Sequence, residues 1–345
     1  MTRPVQTAAG PVSSAPMVLV DIRTEEGVTG SAYVFTYNLI ALGPTARLIA
    51  NLEPLLKGHP LAPVALGQML AARFRLLGPQ GLVGIALAAV DMALWDAHAR
   101  VLGTSLARLL GAFGDERLPA YASLRGWTAD ELAEEAGLAV ADGFAAVKLK
   151  IGHPRLEDEV SVIRAVRDAA GDTTRIMVDY NQALSVPEAV RRAAVLDELG
   201  LDWIEEPVRA DDYVGHAEVA RASRTPIQVG ENYWGPHEMA RSLQAGASDL
   251  VMPEAMKIGG VTGWMQAASL AAAAGRPISS HIFVEFSSQL LAATPGRDRI
   301  EWLDLAAPIL AAGTPKLDHG FVTPDPGPGA GLVWDETAVT RFALT

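Results

Sequence analysis

The sequence predicts a parallel (β/α)8-type barrel carrying an α+β capping domain formed by the N-terminal region and the C-terminal tail. Three observations predict it. Short apolar runs, each ending in a polar residue, recur about every 20–30 residues through the second two-thirds of the chain. Ala-rich segments with helical patterning separate most of them. The first 115 residues lack this beat altogether. A strand buried on both faces is short and uniformly apolar, and alternation of such strands with helices builds a parallel sheet that can close on itself.

Taken in order, MVLVDIRTEEGVTGSAYVF (17–35) alternates as a strand pair about a Glu26-Gly27 turn. GLVGIALAAVDMALWDAHARVLG (81–103) reads as a long buried helix, followed by SLARLLGA. The barrel runs are 118–124, 144–150, 175–181, 201–207, 226–232, 249–255, 277–283 and 300–305. Between them, TADELAEEAGLAVADG, LEDEVSVIRAVRDAAG and PEAVRRAAVLDELG are helical, and several such segments open with Asp, Ser or Pro and close with Gly, as helix caps do. In the tail, FVTP and GLVWD are expected to be strands returning to the capping domain, with PDPGPGAG as a turn-rich segment. The expected division is 1–115 cap, 116–305 barrel and 306–345 returning segment.

Composition narrows the function. The 345 residues are half hydrophobic, enough for a large core. The net charge of −12 disfavours nucleic-acid binding. The most apolar stretch, Leu82 to Trp95, is too short for a membrane span and contains Asp91. No cysteine is present, which removes disulfides, thiolate metal sites and Cys nucleophiles and fits a reducing compartment. The first residues lack the apolar block of a signal peptide, so the expected location is cytoplasmic.

Chemistry concentrates at the ends of the runs: Lys150, Asp179, Glu205, Glu231, Glu254, His281 and Glu301. In a barrel these ends share one face, where active sites sit. Asp179, Glu205 and Glu231 follow one another at 26-residue steps, one β/α unit each. Three converging carboxylates repel unless a cation holds them, and an all-oxygen donor set suits Mg²⁺. Lys148 and Lys150 stand two apart and share a strand face, so each ammonium lowers the pKa of the other and one can serve as a base. His281 has Glu254 at the end of the neighbouring run as a hydrogen-bond acceptor that would fix its tautomer. Glu301 is expected as a protonated acid donating to a developing oxyanion.

The motifs VKLKIG, IMVDYNQ, WIEEP, GEN, MKIGGVTGW, SSHIF and LLAATP resemble the enolase superfamily, in its mandelate racemase subgroup, and the resemblance spans nearly the whole chain. It implies a barrel with one Mg²⁺ under a capping domain, and removal of the proton α to a carboxylate to give a metal-stabilised enediolate. Asp179, Glu205 and Glu231 would be the metal ligands. Lys150 and His281 would be bases on the two faces of the α-carbon. Lys148 would neutralise the substrate carboxylate, and Glu301 would donate to it. Asn181 would contact the substrate hydroxyl, and Ser123 would sit by the carboxylate. Val5, Val12 and Tyr37 would shape an apolar pocket. The small-molecule carboxylate is the expected partner, with a homo-oligomer, octamer or dimer, as the expected assembly.

The sequence departs from the family pattern at three places. The partner of the histidine is Glu254 where the family has Asp, one methylene farther out. Leu149 lies between the lysines, and Leu124 and Arg125 follow Ser123. The cap is expected to lack the family's first strand. The leading expectation is a racemase of 2-hydroxy acids bearing an apolar or aromatic substituent. The alternatives are an acid-sugar dehydratase, which would want a more polar pocket than Val5, Val12 and Ile282 offer, a lactonising or epimerising enzyme using Lys257, and a metal-binding barrel with little turnover.

Overall fold

The computed structural model describes residues 4–8, 10–114, 116–303, 305–312 and 315–344. The expected domain boundary at 115 lies outside the described residues. In the cap, β1 (Met17–Arg23) pairs antiparallel with β2 (Thr29–Phe35). Gly27 closes the turn at φ 86°, a conformation that costs a residue without Cβ little. Ahead of β1, Val5 and Val12 form an isolated antiparallel bridge. This hairpin rests on the barrel. Gln6 N donates to Arg125 O at 3.1 Å, and a Cβ at Gly152 would come 2.7 Å from Ala8 Cβ. Only glycine permits that approach.

The helix Gly81–Val101 supports the cap and joins it to the barrel. It is the helix among the described residues long and apolar enough, by length and composition, to cross a membrane, yet it lies largely buried inside the protein. The apolar stretch noted in the sequence is thus part of a longer helix. Its two inward carboxylates tie the layers together. Asp91 Oδ1 accepts from Thr262 Oγ1 at 2.5 Å. Asp96 accepts from Ser31 N at 2.8 Å, Ala330 N at 2.6 Å and Arg100 Nε at 2.6 Å. Tyr33 of β2 donates to Glu285 Oε2 of the barrel at 2.7 Å.

The barrel strands are β3 (Leu118–Ser123), β4 (Ala146–Lys150), β5 (Arg175–Asp179), β6 (Trp203–Glu205), β7 (Ile227–Val229), β8 (Leu250–Val251) and β9 (Ile300–Trp302). β3 to β8 pair in parallel in that order, and β9 pairs in parallel with β3 on its other side. The seventh expected run is held by single bridges instead of a ladder: Val251 to Ile278 and Glu254 to His281. The backbone turns left-handed at Ile282 and Phe283, φ 35° and 50°, straight into the helix Val284–Ala292. That leaves no length for a regular strand.

Alternation along the strands sets the interior. Residues two before Ser123, Lys148, Asp179 and Glu205 are Tyr121, Ala146, Met177 and Trp203, and these four form a buried cluster of their own. Tyr121 and Trp203 meet edge to face at 5.5 Å. This packed layer lies one residue pair deeper than the polar strand ends and gives the site a rigid, dry floor. Truncating Met177 here would cost about 2–5 kcal/mol.

The tail divides its strands between the two domains, which corrects the expected return of both to the cap. β10 (Leu310–Ala312) pairs with β13 (Val333–Trp334), and Trp334 Nε1 donates to Asp21 Oδ1 of β1 at 3.0 Å. β11 (Lys316–Asp318) and β12 (Phe321–Thr323), by contrast, form a hairpin added to the barrel sheet, with Phe321 and Val322 opposite Pro119 and Leu118 at the start of β3. The FVTP segment therefore closes the barrel's far end, because the start of β3 is an unpaired edge that it satisfies.

Candidate active site

Asp179, Glu205 and Glu231 converge as the spacing predicts. One ligand oxygen from each lies within 4.8 Å of the others, and all three residues are buried. Glu205 is pushed well above the usual carboxylate range, first by burial and then by Asp179. A buried all-oxygen trio with this electrostatic cost has the chemistry of a hard divalent-cation site, so the residues fit Mg²⁺.

The two lysines occupy different environments. Lys148 is fully buried, and its Nζ donates to Glu205 at 2.8 and 3.0 Å and lies 2.9 Å from Glu301 Oε1. Lys150 reaches the cavity and donates to Asp179 Oδ2. Lys148 does lower Lys150, as expected, but neither lysine is depressed on balance. Both lysines are raised: burial opposes the charge, and the field of Glu205 and Glu301 on Lys148, and of Asp179 on Lys150, outweighs it. The expectation counted only the neighbouring cation. Lys148, expected to face the substrate carboxylate, is placed behind the cavity lining, against Glu205 and Glu301.

On the facing side, His281 Nδ1 lies 2.7 Å from Glu254 Oε2, while Nε2 lies 3.1 Å from Glu231 Oε2 and 3.7 Å from Glu301 Oε2. The Glu254 arm therefore reaches the imidazole despite its extra methylene. Burial disfavours the charged ring, but Glu231 and Glu301 reverse the sign and push His281 up to about 10. Glu301 accepts from Ile282 N at 3.2 Å. Burial raises its pKa, yet Lys148 and His281 carry it down to about 2. That direction favours the ionised form over the protonated donor expected from the sequence, because Lys148 and His281 flank Glu301.

One cavity of about 420 Å³ gathers Lys150, Asn181, Glu231, His281 and Glu301 with Val5, Val12 and Tyr37. Asn181 donates through Nδ2 to Asp179 Oδ2 at 3.1 Å. Ser123 is buried at the end of β3, opposite Lys148, with its hydroxyl unpartnered, and it is not part of the cavity wall. Tyr37 is more than an apolar wall, since its hydroxyl donates to Glu254 Oε2. The sequence reading did not single out Phe35, Leu303, Leu305, Gln182 or Asn232, which also line the cavity. Asn232 bridges Glu206 at 2.8 Å and Lys257 at 2.8 Å. Glu206, pushed up to about 8 by burial and then by Glu231, follows Glu205 of the carboxylate trio directly, as Asn232 follows Glu231. Adjacency to the trio was the available signal for both.

The model of the enolase C-terminal domain-like family matches residues 131–338, and that of the mandelate racemase / muconate lactonizing enzyme N-terminal domain matches residues 1–111. The chain belongs to the enolase superfamily. Within that superfamily it falls in the mandelate racemase/muconate lactonizing subgroup. A crystal structure of an enolase from Bradyrhizobium, complexed with magnesium and mandelic acid, is similar at TM-score 0.95 and 42% identity, covering 100% of this chain and 95% of that one. The 3,6-anhydro-alpha-L-galactonate cycloisomerase of Streptomyces coelicolor is 31% identical over 99% of this chain and 96% of its own length. The L-talarate/galactarate dehydratase of Salmonella typhimurium is 30% identical over 85% of this chain and 75% of its own length. The enolase-superfamily architecture accounts for the cap that seals the strand ends here: Val5, Val12, Phe35 and Tyr37 come from the cap, and every charged group of the cavity comes from the barrel.

Proposed function

We propose that this protein is a Mg²⁺-dependent racemase of 2-hydroxy carboxylates with an apolar or aromatic substituent. The observation that carries the reading is that Lys150 and His281, from the second and seventh barrel positions, line one cavity whose other wall is Val5, Val12, Phe35, Ile282, Leu303 and Leu305. Asp179, Glu205 and Glu231 would hold the metal. Bound Mg²⁺ supplies positive charge that offsets the second negative charge created when the α-proton leaves.

Lys150 Nζ takes or returns the α-proton on one face, and His281 Nε2 does so on the other. Asp179 and Glu231, which raise these two groups, are carboxylates whose charge a bound Mg²⁺ would offset, bringing each base closer to its neutral form. Glu254 fixes the ring by binding Nδ1, which leaves Nε2, 3.1 Å from Glu231 Oε2, for the chemistry. Lys148 holds Glu205 and Glu301 in place and balances their charge in the dry floor. The apolar wall receives the substituent and excludes water from the bases. The mandelic acid complex of the Bradyrhizobium enolase supports this choice of substrate class.

A second reading, dehydration of an acid sugar, is favoured by Thr7, Asn181, Gln182 and Asn232 on the same cavity and by the Salmonella dehydratase. Single-enantiomer mandelate and galactarate, each incubated with Mg²⁺ in D₂O, separate the two. The racemase reading expects the opposite enantiomer of mandelate with deuterium at the α-carbon. Loss of water from galactarate with no exchange of mandelate would overturn it.

A further inference from the structure

We propose that Tyr37 of the capping domain is a positioning residue for His281, acting through Glu254. A single oxygen, Glu254 Oε2, takes both donors: the hydroxyl of Tyr37 and the His281 Nδ1–H, the latter at 2.7 Å. The other oxygen, Oε1, is buried without a partner. The orientation of the carboxylate is therefore set by these two bonds. Lys257 adds a flank, its Nζ 4.3 Å over the Tyr37 ring and 3.9 Å from Oε2.

Tyr37 is built to stay where it is. It adopts φ 56°, a left-handed conformation that a tyrosine pays for, and such strain persists only where the surroundings impose it. Thr36 imposes it from one side, with its N donating to Pro16 O at 2.9 Å and its hydroxyl within 3.2 Å of Pro16 O and Asn38 O. Phe35 packs on the Tyr37 ring at 4.4 Å between centroids. Tyr37 as a residue is 42% exposed while its hydroxyl turns inward to Glu254, so it spans from the surface of the cap to the base dyad. One Glu254 carboxylate thus meets a barrel histidine and a cap tyrosine together. The histidine face of the site is thereby assembled only with the cap in place.

This inference rests on the two-base reading, and its test separates the two. Tyr37→Phe keeps the ring and the apolar wall and removes only the hydroxyl. Deuterium exchange at the histidine face of a hydroxy acid is expected to fall roughly 10–100-fold, the range for losing an orienting partner, with KM little changed and exchange at the Lys150 face falling much less. In a Glu254→Asp background the shorter carboxylate cannot serve both donors, so adding Tyr37→Phe is expected to do little, a non-additive cycle. Independently of any substrate, the Nδ1 proton resonance of His281, identified by its loss in His281→Asn, is expected to shift in Tyr37→Phe. An unmoved resonance, an equal loss at both faces, or an undiminished effect in the Glu254→Asp background would overturn the role of Tyr37. A shifted resonance in a protein that exchanges no hydroxy acid would uphold Tyr37 and overturn the racemase reading.

Discussion

His281 Nδ1 and Glu254 Oε2 are 2.7 Å apart, deep in the protein and on adjacent barrel elements joined by a parallel bridge between the same two residues. The backbone pairing brings the side chains together, and the glutamate arm closes the remaining distance. Glu254→Gln keeps the size but replaces a charged acceptor with a weaker one. Exchange at the histidine face is expected to drop about 10²-fold, the lower end for losing a base's orienter, and more than at the lysine face. Enantiomer-resolved exchange in D₂O measures this, and equal effects on both faces would detach Glu254 from His281.

The two bases belong to different elements, so their roles separate. His281→Asn is expected to stop racemisation in both directions while leaving Lys150 able to exchange the α-proton of one enantiomer. Lys150→Ala should leave the reciprocal exchange. Proton NMR of each enantiomer in D₂O reads both outcomes, and racemisation surviving either substitution would reject the two-base scheme.

The carboxylate trio predicts metal dependence. Chelation with EDTA is expected to abolish activity and Mg²⁺ to restore it. Mg²⁺ at about 100 times its Kd should add about 2.7 kcal/mol of stability to the wild type. Glu205→Gln, fully buried within the trio, should lose most of that gain. Thermal unfolding with and without Mg²⁺ tests it, and equal stabilisation of both proteins would remove Glu205 from the site.

Asp91, which does not line the cavity, predicts a pH dependence of stability. Burial raises its pKa to about 7, although Thr262 donates to it. Because the folded value lies above the unfolded one, the folded state binds more protons between about pH 4 and pH 7, and stability falls as pH rises through that window. The contribution is up to about 4 kcal/mol, from a shift of roughly three units at 1.36 kcal/mol each. Asp91→Asn keeps an acceptor for Thr262 and should flatten this slope in urea titrations. A slope identical to wild type would mean that Asp91 is ionised throughout.

Residue order alone predicts the barrel and where its polar strand ends gather. Parallel strands buried on both faces must be short apolar runs, and the residue ending each run must emerge at one rim, so 26-residue steps sufficed to bring Asp179, Glu205 and Glu231 together. The pairing of His281 with Glu254 followed from the same logic. Three things were decided only by the tertiary structure. The charge states of Lys150 and Glu301 came from groups on several strands at once, since a field sums over space and not along the chain. The FVTP strand went to the barrel because an open edge at the start of β3 competed for it. Tyr37 met Glu254 across 217 positions of sequence because the cap folds over the rim, and no local periodicity records which residues two domains will place face to face.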